Sequence, residues 1–215
     1  MYLPIVRWAM TEHNMKEKIL VAASESFAAR GFEATSLQML ADAVGIKKPS
    51  LLYHFRNKEE VRAEVLARLL SQWNARLPEI LLAASTGKAR FEAILNAGLD
   101  FFAEDRSRAQ VLVRELLDRP QEMRAVIAEY SKVWVTALSG AIDEGQRSGR
   151  IRADVDPKVF ITQIASLVVG VAFLEPMSGL FEPEEITITE QAESAWKQEL
   201  MRIARISLFN ARPKV

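Results

Sequence analysis

The sequence predicts an all-α protein, a small N-terminal helical domain followed by a larger helical one. Three observations carry that reading. Apolar residues recur at i, i+3, i+4 and i+7 through most of the chain. No run of alternating β-branched residues is long enough to read as a half-buried strand. Glycines, prolines and capping side chains fall between the periodic stretches, where helices start and stop.

In order, Ile19, Ala23 and Phe27 stripe a first helix, which Gly31 closes as a left-handed cap. Thr35 offers the next N-cap, with Gln38 completing a capping box, and Leu37, Leu40, Ala41 and Val44 form the buried stripe. Gly45 ends that helix, and a third begins near Pro49, with Leu51 and Phe55 facing inward. The run "NKEE" at 57–60 is an N-cap followed by acids at the positive end of the dipole. Its helix is expected to reach Leu77, with Pro78 starting another. Phe91, Leu95, Leu99 and Phe102 mark one further helix, and Val111, Leu112 and Leu116 the next. From Met123 a long apolar pattern runs to "GQRSGR"; Asp156 and Pro157 then open an almost wholly apolar helix. "EPMSGLFEPEE" reads as a loop, Thr187 and Glu190 as a second capping box, and Ala192, Trp196, Leu200, Ile203 and Ile206 as the stripe of the last helix. Residues 1–12 read as a flexible extension, 13–56 as the small domain and 57–215 as the large one.

Composition excludes several classes of function. The chain has no cysteine, so thiolate zinc sites, disulfide frameworks and cysteine nucleophiles are out. Its two histidines, His13 and His54, lie far apart, so no metal or other cofactor is expected. There is no G-x-S-x-G elbow, phosphate-cradling glycine loop or H-E-x-x-H, so no enzyme is expected. The apolar run 164–174 is shorter than a bilayer span, and no membrane partner is expected.

Net charge is zero, yet Lys47, Lys48, Arg56 and Lys58 occur between 47 and 58 without one acid. Residues 36–55 read as two short helices joined at Gly45, a helix-turn-helix arrangement whose second helix would enter the major groove, and the four basic residues lie on and just beyond its second half. Phosphate neutralisation dominates affinity in such contacts, so this local excess matters more than the total. The alternative is a helical hairpin with a solvated basic face.

The string "KILVAASESFAARGFEATSLQMLADAVGIKKPSLLYHFRNKEEV" closely resembles the DNA-binding domain of TetR-family transcriptional regulators, through F-A-x-x-G-F-x-A-T-S, L-A-x-x-x-G-I and L-x-Y-H-F-x-x-K-E. "GQRSGRIRADVDP" resembles the connector before that family's penultimate helix. The resemblance implies a bacterial, cytoplasmic homodimer that binds a palindromic operator in duplex DNA. It implies that Gln38, Lys47, Lys48, Pro49 and Ser50 approach base edges or phosphates. Tyr53, His54 and Lys58 are implied as phosphate contacts, and the chemistry agrees, since phenol, imidazole and ammonium all donate to phosphate oxygens. Lys47 stands where the family usually has a capping serine, and Leu52 where it commonly has tyrosine.

The larger domain is expected to hold a small-molecule effector, mainly apolar, among Trp73, Phe102, Leu112, Tyr130, Trp134 and Phe173. Arg114 and Glu115 read either as a polar pair in that pocket or as a buried structural ion pair. Phe160, Ile164, Val168, Val171, Trp196, Leu200 and Ile203 are expected at the dimer interface. The predicted function is a transcriptional regulator, a repressor released by its effector; the alternative is a constitutive dimeric DNA-binding protein with a filled core.

Overall fold

Residues 4–83, 87–174 and 190–210 are described by the computed structural model of the chain, and they are almost wholly helical. The helices are α1 (Pro4–Arg30), α2 (Leu37–Ala43), α3 (Lys48–His54), α4 (Lys58–Ala83), α5 (Gly87–Ala103), α6 (Ser107–Asp118), α7 (Pro120–Arg147), α8 (Pro157–Leu174) and α9 (Glu190–Leu208). Helix α1 starts inside the stretch read as an extension. The loop 175–185 and the capping residue Thr187 lie outside the described residues.

The small domain follows its apolar pattern. Ile19, Ala23 and Phe27 of α1 meet Leu40 and Ala41 of α2 and Leu51 and Phe55 at α3, all buried in one cluster. Each large side chain removed from water there contributes about 1.5–3 kcal/mol. Gly31 and Gly45 adopt φ of 82° and 72°, the left-handed turns that a Cβ would strain. The N-cap of α2 is Ser36, whose Oγ accepts from the Met39 amide at 3.2 Å, and not Thr35. Thr35 is buried and donates to the Gly31 carbonyl at 2.8 Å, so it closes the α1–α2 turn instead. Gln38 forms no capping box; its amide donates to Asp42 at 2.7 Å.

Asn57 caps α4, its side chain accepting from the Glu60 amide at 2.8 Å while Glu60 accepts from the Arg56 amide at 2.6 Å. Helix α4 does not end before Pro78 but runs through it to Ala83. One missing amide donor does not stop a helix whose preceding residue, Leu77, is anchored by burial.

In the larger domain, α8 packs against α5, α6 and α7. It is opened by Asp156, which accepts from the amides of Val159 (side chain, 2.9 Å) and Phe160 (backbone, 2.9 Å). The connector before it is pinned by Gln146, whose amide donates to the carbonyls of Arg152 and Val155 at 2.8 and 2.7 Å. Helix α8 has the length and composition of a membrane span, at 18 residues and a mean hydropathy of 1.8, counted over more residues than the apolar run alone. Its inner face, with Phe160, Ile161 and Val168, is buried within the domain.

Candidate DNA-binding face and ligand cavity

Helix α3 turns Leu51 inward and leaves Lys47, Lys48, Pro49 and Ser50 exposed at its start. Lys47 occupies the N-cap without a side-chain bond. Tyr53 is 69% exposed, and His54 lies edge-on to it at 5.4 Å. Gln38 on α2 is exposed as well. These seven residues are the sequence-predicted DNA contacts that lie on or beside the outer surface of the helix-turn-helix.

Lys58 is placed differently. Its ammonium donates to the carbonyls of Phe32 and Glu33 at 2.8 and 3.3 Å and sits 4.1 Å from the Phe32 ring centroid. It ties the start of α4 to the turn after α1.

The larger domain contains a cavity of about 990 Å³. Leu69, Leu70 and Trp73 of α4 and Leu112 of α6 line one end, and Phe91, Phe101 and Phe102 of α5 line the side. Trp134 of α7 and Ile161, Ile164 and Val168 of α8 complete the apolar wall. Four of the eight sequence-predicted ligand residues are brought together here: Trp73, Phe102, Leu112 and Trp134. Tyr130 and Phe173 are not on the wall; the Tyr130 carbonyl accepts from Asn74 at 2.9 Å, and Phe173 packs against the main core.

Arg114 and Glu115 are not a pocket pair. Arg114 donates to the carbonyls of Ala28 and Ala29 at 2.8 and 3.2 Å, capping the end of α1. Glu115 is buried against Arg62 of α4. Burial works against the Arg62 charge, but the Glu115 hydrogen bond and its field outweigh it, so the guanidinium pKa is raised. Sequence gave no signal for Arg62, because its partner lies on another helix.

The dimer residues also sort differently. Phe160, Ile164 and Val168 line the cavity, and Leu200 is buried in the core, because these positions face inward on α8 and α9. Val171 is half-buried against the core. Trp196 and Ile203 remain exposed, and Val159, Leu167, Leu174 and Ile206 join them as the apolar outer surface of the two helices.

Two elements connect the two sites. Helix α4 runs from Lys58 beside the DNA-binding domain to Trp73 in the cavity. Helix α6 does the same, which helical pattern alone did not reveal. It places Leu112 on the cavity and Arg114 on α1, and Arg119 just after it makes a bidentate pair with Glu59 at 3.0 and 3.0 Å.

A basic helix-turn-helix face joined through shared helices to an apolar cavity defines a DNA-binding transcriptional regulator with a ligand-sensing domain. Residues 19–65 match the model for bacterial regulatory proteins of the tetR family, and residues 84–186 match a tetracyclin repressor-like C-terminal domain. The chain belongs to the TetR family. It is 33% identical over 152 residues to the HTH-type transcriptional repressor KstR2 of Mycolicibacterium smegmatis, covering 66% of this chain and 70% of that one. The fatty acid metabolism regulator protein of Bacillus subtilis is 25% identical over 142 residues, covering 66% and 73%. Among solved structures, the ketosteroid transcriptional regulator KstR2 of Mycobacterium tuberculosis superposes with a TM-score of 0.70 at 21% identity, over 92% of this chain and 96% of that one.

Proposed function

We propose that this protein is a homodimeric repressor that leaves its operator when a mainly apolar small molecule fills the cavity. The observation that carries the reading is an apolar space of about 990 Å³ whose wall includes the two helices that also hold the DNA-binding domain. A regulator that only dimerised would have no use for such a space; a filled core would serve it better. Relatives named for fatty acid metabolism and for ketosteroid regulation support an apolar effector, and a relative named as a repressor supports the sign.

In this reading Gln38 and Ser50 read bases, while Lys47, Lys48, Tyr53 and His54 hold phosphates and fix register. The exposed apolar surface of α8 and α9 pairs with its two-fold mate, which sets the spacing of the two α3 helices. An effector that prefers one disposition of α4 and α6 changes that spacing. A coupling of about 1–3 kcal/mol weakens operator binding by roughly 5- to 150-fold.

Random-site selection with the purified protein tests the first half: a palindromic site should be enriched. Titration of that site with straight-chain and polycyclic apolar compounds tests the second. If every compound that binds the protein leaves operator affinity unchanged, the constitutive alternative holds instead.

A further inference from the structure

The cavity is chemically lopsided. Among its described lining residues are Lys88, Arg90, Arg150 and Arg205, and not one aspartate or glutamate. These cations gather at one end. Lys88 lies in the first turn of α5, one turn before Phe91, whose ring is 5.6 Å from that of Phe209. Beside Phe209, Asn210 donates its backbone N–H to the Arg150 carbonyl at 3.3 Å and its side-chain amide to Gly149 at 2.8 Å. Arg205 reaches the same helix start, 2.8 Å from Glu92. Lys88, Arg150 and Arg205 are exposed, so this end is a mouth open to solvent.

The opposite end is closed and apolar, with Leu69, Phe101, Phe102, Leu112 and Val168 all buried. From Lys88 to Phe102 the wall follows fourteen helical steps, about 21 Å at 1.5 Å per residue. Glu92 answers the charge of Arg205, but Lys88 and Arg150 have no carboxylate partner among the described residues; Arg150 Nε donates only to Ser148 Oγ at 2.9 Å. The N-terminus of α5, a helix of 17 residues, adds the positive end of its dipole at the same place.

We infer that the mouth is an anion site and that the effector is an amphipathic anion: a long apolar body that lies along α5, ending in a carboxylate or phosphate held between Lys88 and Arg150. The inference rests on the reading of the cavity as the effector site. A neutral apolar molecule would leave the two cations without a carboxylate partner among the described residues, and a cationic one would be repelled.

Calorimetric titration of the full-length protein with dodecanoate, dodecyl phosphate, dodecanol and dodecylammonium, each below its micellar concentration, separates the terms. Both anions should bind about five- to tenfold more tightly than the alcohol, as expected for two solvent-exposed ion pairs, and the cation most weakly. The tighter of the two anions identifies the head group. The double variant K88Q/R150Q, altered at exposed positions, should bring the anions to the level of dodecanol and leave dodecanol unchanged. Equal binding of anion and alcohol, or equal weakening of both by the variant, overturns the anion site and leaves the apolar cavity standing. Failure of all four probes to bind overturns the effector-cavity reading together with it.

Discussion

Arg62 on α4 and Glu115 on α6 form an ion pair inside the protein, with Arg62 Nε 2.7 Å from the carboxylate and their side chains only 8% and 6% exposed. Glu122 takes a second guanidinium nitrogen of Arg62 at 3.0 Å. A pair this far from water is held together by geometry, and removing one partner strands a charge. Arg62→Met should therefore cost about 3–5 kcal/mol in chemical denaturation. Combining it with Glu115→Leu should recover much of that loss, because no buried charge then remains. A double variant as unstable as the sum of the singles would refute the pairing.

Just after the same helix, Arg119 clamps Glu59 at the first turn of α4. The Arg119 hydrogen bond holds the Glu59 carboxyl below its ordinary value, against a smaller opposing effect of burial. A lowered folded-state pKa stabilises the protein fully above the unfolded value of about 4.3, and the contribution is lost as pH falls through the folded value. Glu59 is more than half exposed, so solvent limits its contribution to about 0.5 kcal/mol. Glu59→Gln should lower stability slightly at pH 7 and flatten the decline below about pH 4.3. Identical stability profiles for the two proteins would show that the clamp contributes nothing.

Lys58 is bonded into the fold at the start of α4. With its ammonium on the carbonyls of Phe32 and Glu33, Lys58→Met should cost about 1–2 kcal/mol of stability. Lys48→Ala should instead leave thermal unfolding nearly unchanged and lower the salt dependence of operator binding by about one unit. A larger drop in salt slope for Lys58→Met than for Lys48→Ala would return Lys58 to the phosphate backbone.

What could be read from sequence was local. Gly31, Gly45, Pro49, Asn57 and Asp156 each act on a neighbour within a few residues, and the structure has each at its predicted helix boundary. In sequence Thr35 reads as the cap that Ser36 provides, since both residue types can cap and only the hydrogen bond of Thr35 to the Gly31 carbonyl takes it out of that role. Partners across helices were not legible. The burial of Glu115 depends on Arg62, 53 positions earlier, and Arg114 serves the end of a helix 85 positions before it. On α8, apolar residues on every side hid the division between cavity wall and outer surface. Periodicity cannot separate two apolar faces, and Phe160 and Val168, expected at the interface, line the cavity within the single chain.

Gly98 lies in α5 on the cavity wall, and a Cβ there would rest 3.6 Å from Val168 Cγ1 and 3.7 Å from Trp73 Cη2, ordinary contacts. Gly98→Ala should stabilise the unliganded protein by about 0.8–1 kcal/mol through helix propensity. The methyl group also enters the space a ligand would use, so apolar ligands should bind more weakly. A variant that melts higher while binding the same ligand equally well would place the ligand away from Gly98.

The last helix has one apolar side inside the chain and another facing out. Leu200, Ala204 and Leu208, spaced by one turn, are at most 5% exposed and pack inside the chain. Trp196, Ile203 and Ile206 lie on another side, 37%, 42% and 58% exposed, and with Leu167 and Leu174 of α8 they leave apolar surface facing water. Apolar surface of that kind is what the proposed two-fold interface would cover, since a two-fold mate presents the same residues to it. Ile203→Glu should therefore yield a helical, cooperatively unfolding monomer by sedimentation velocity and circular dichroism. Leu200→Glu should unfold the protein, because its carboxylate would be buried without a partner. Loss of the dimer should also weaken operator binding steeply, since each half-site is then held by one α3 alone. If Ile203→Glu remains dimeric, or the unaltered protein sediments as a monomer, the interface lies elsewhere.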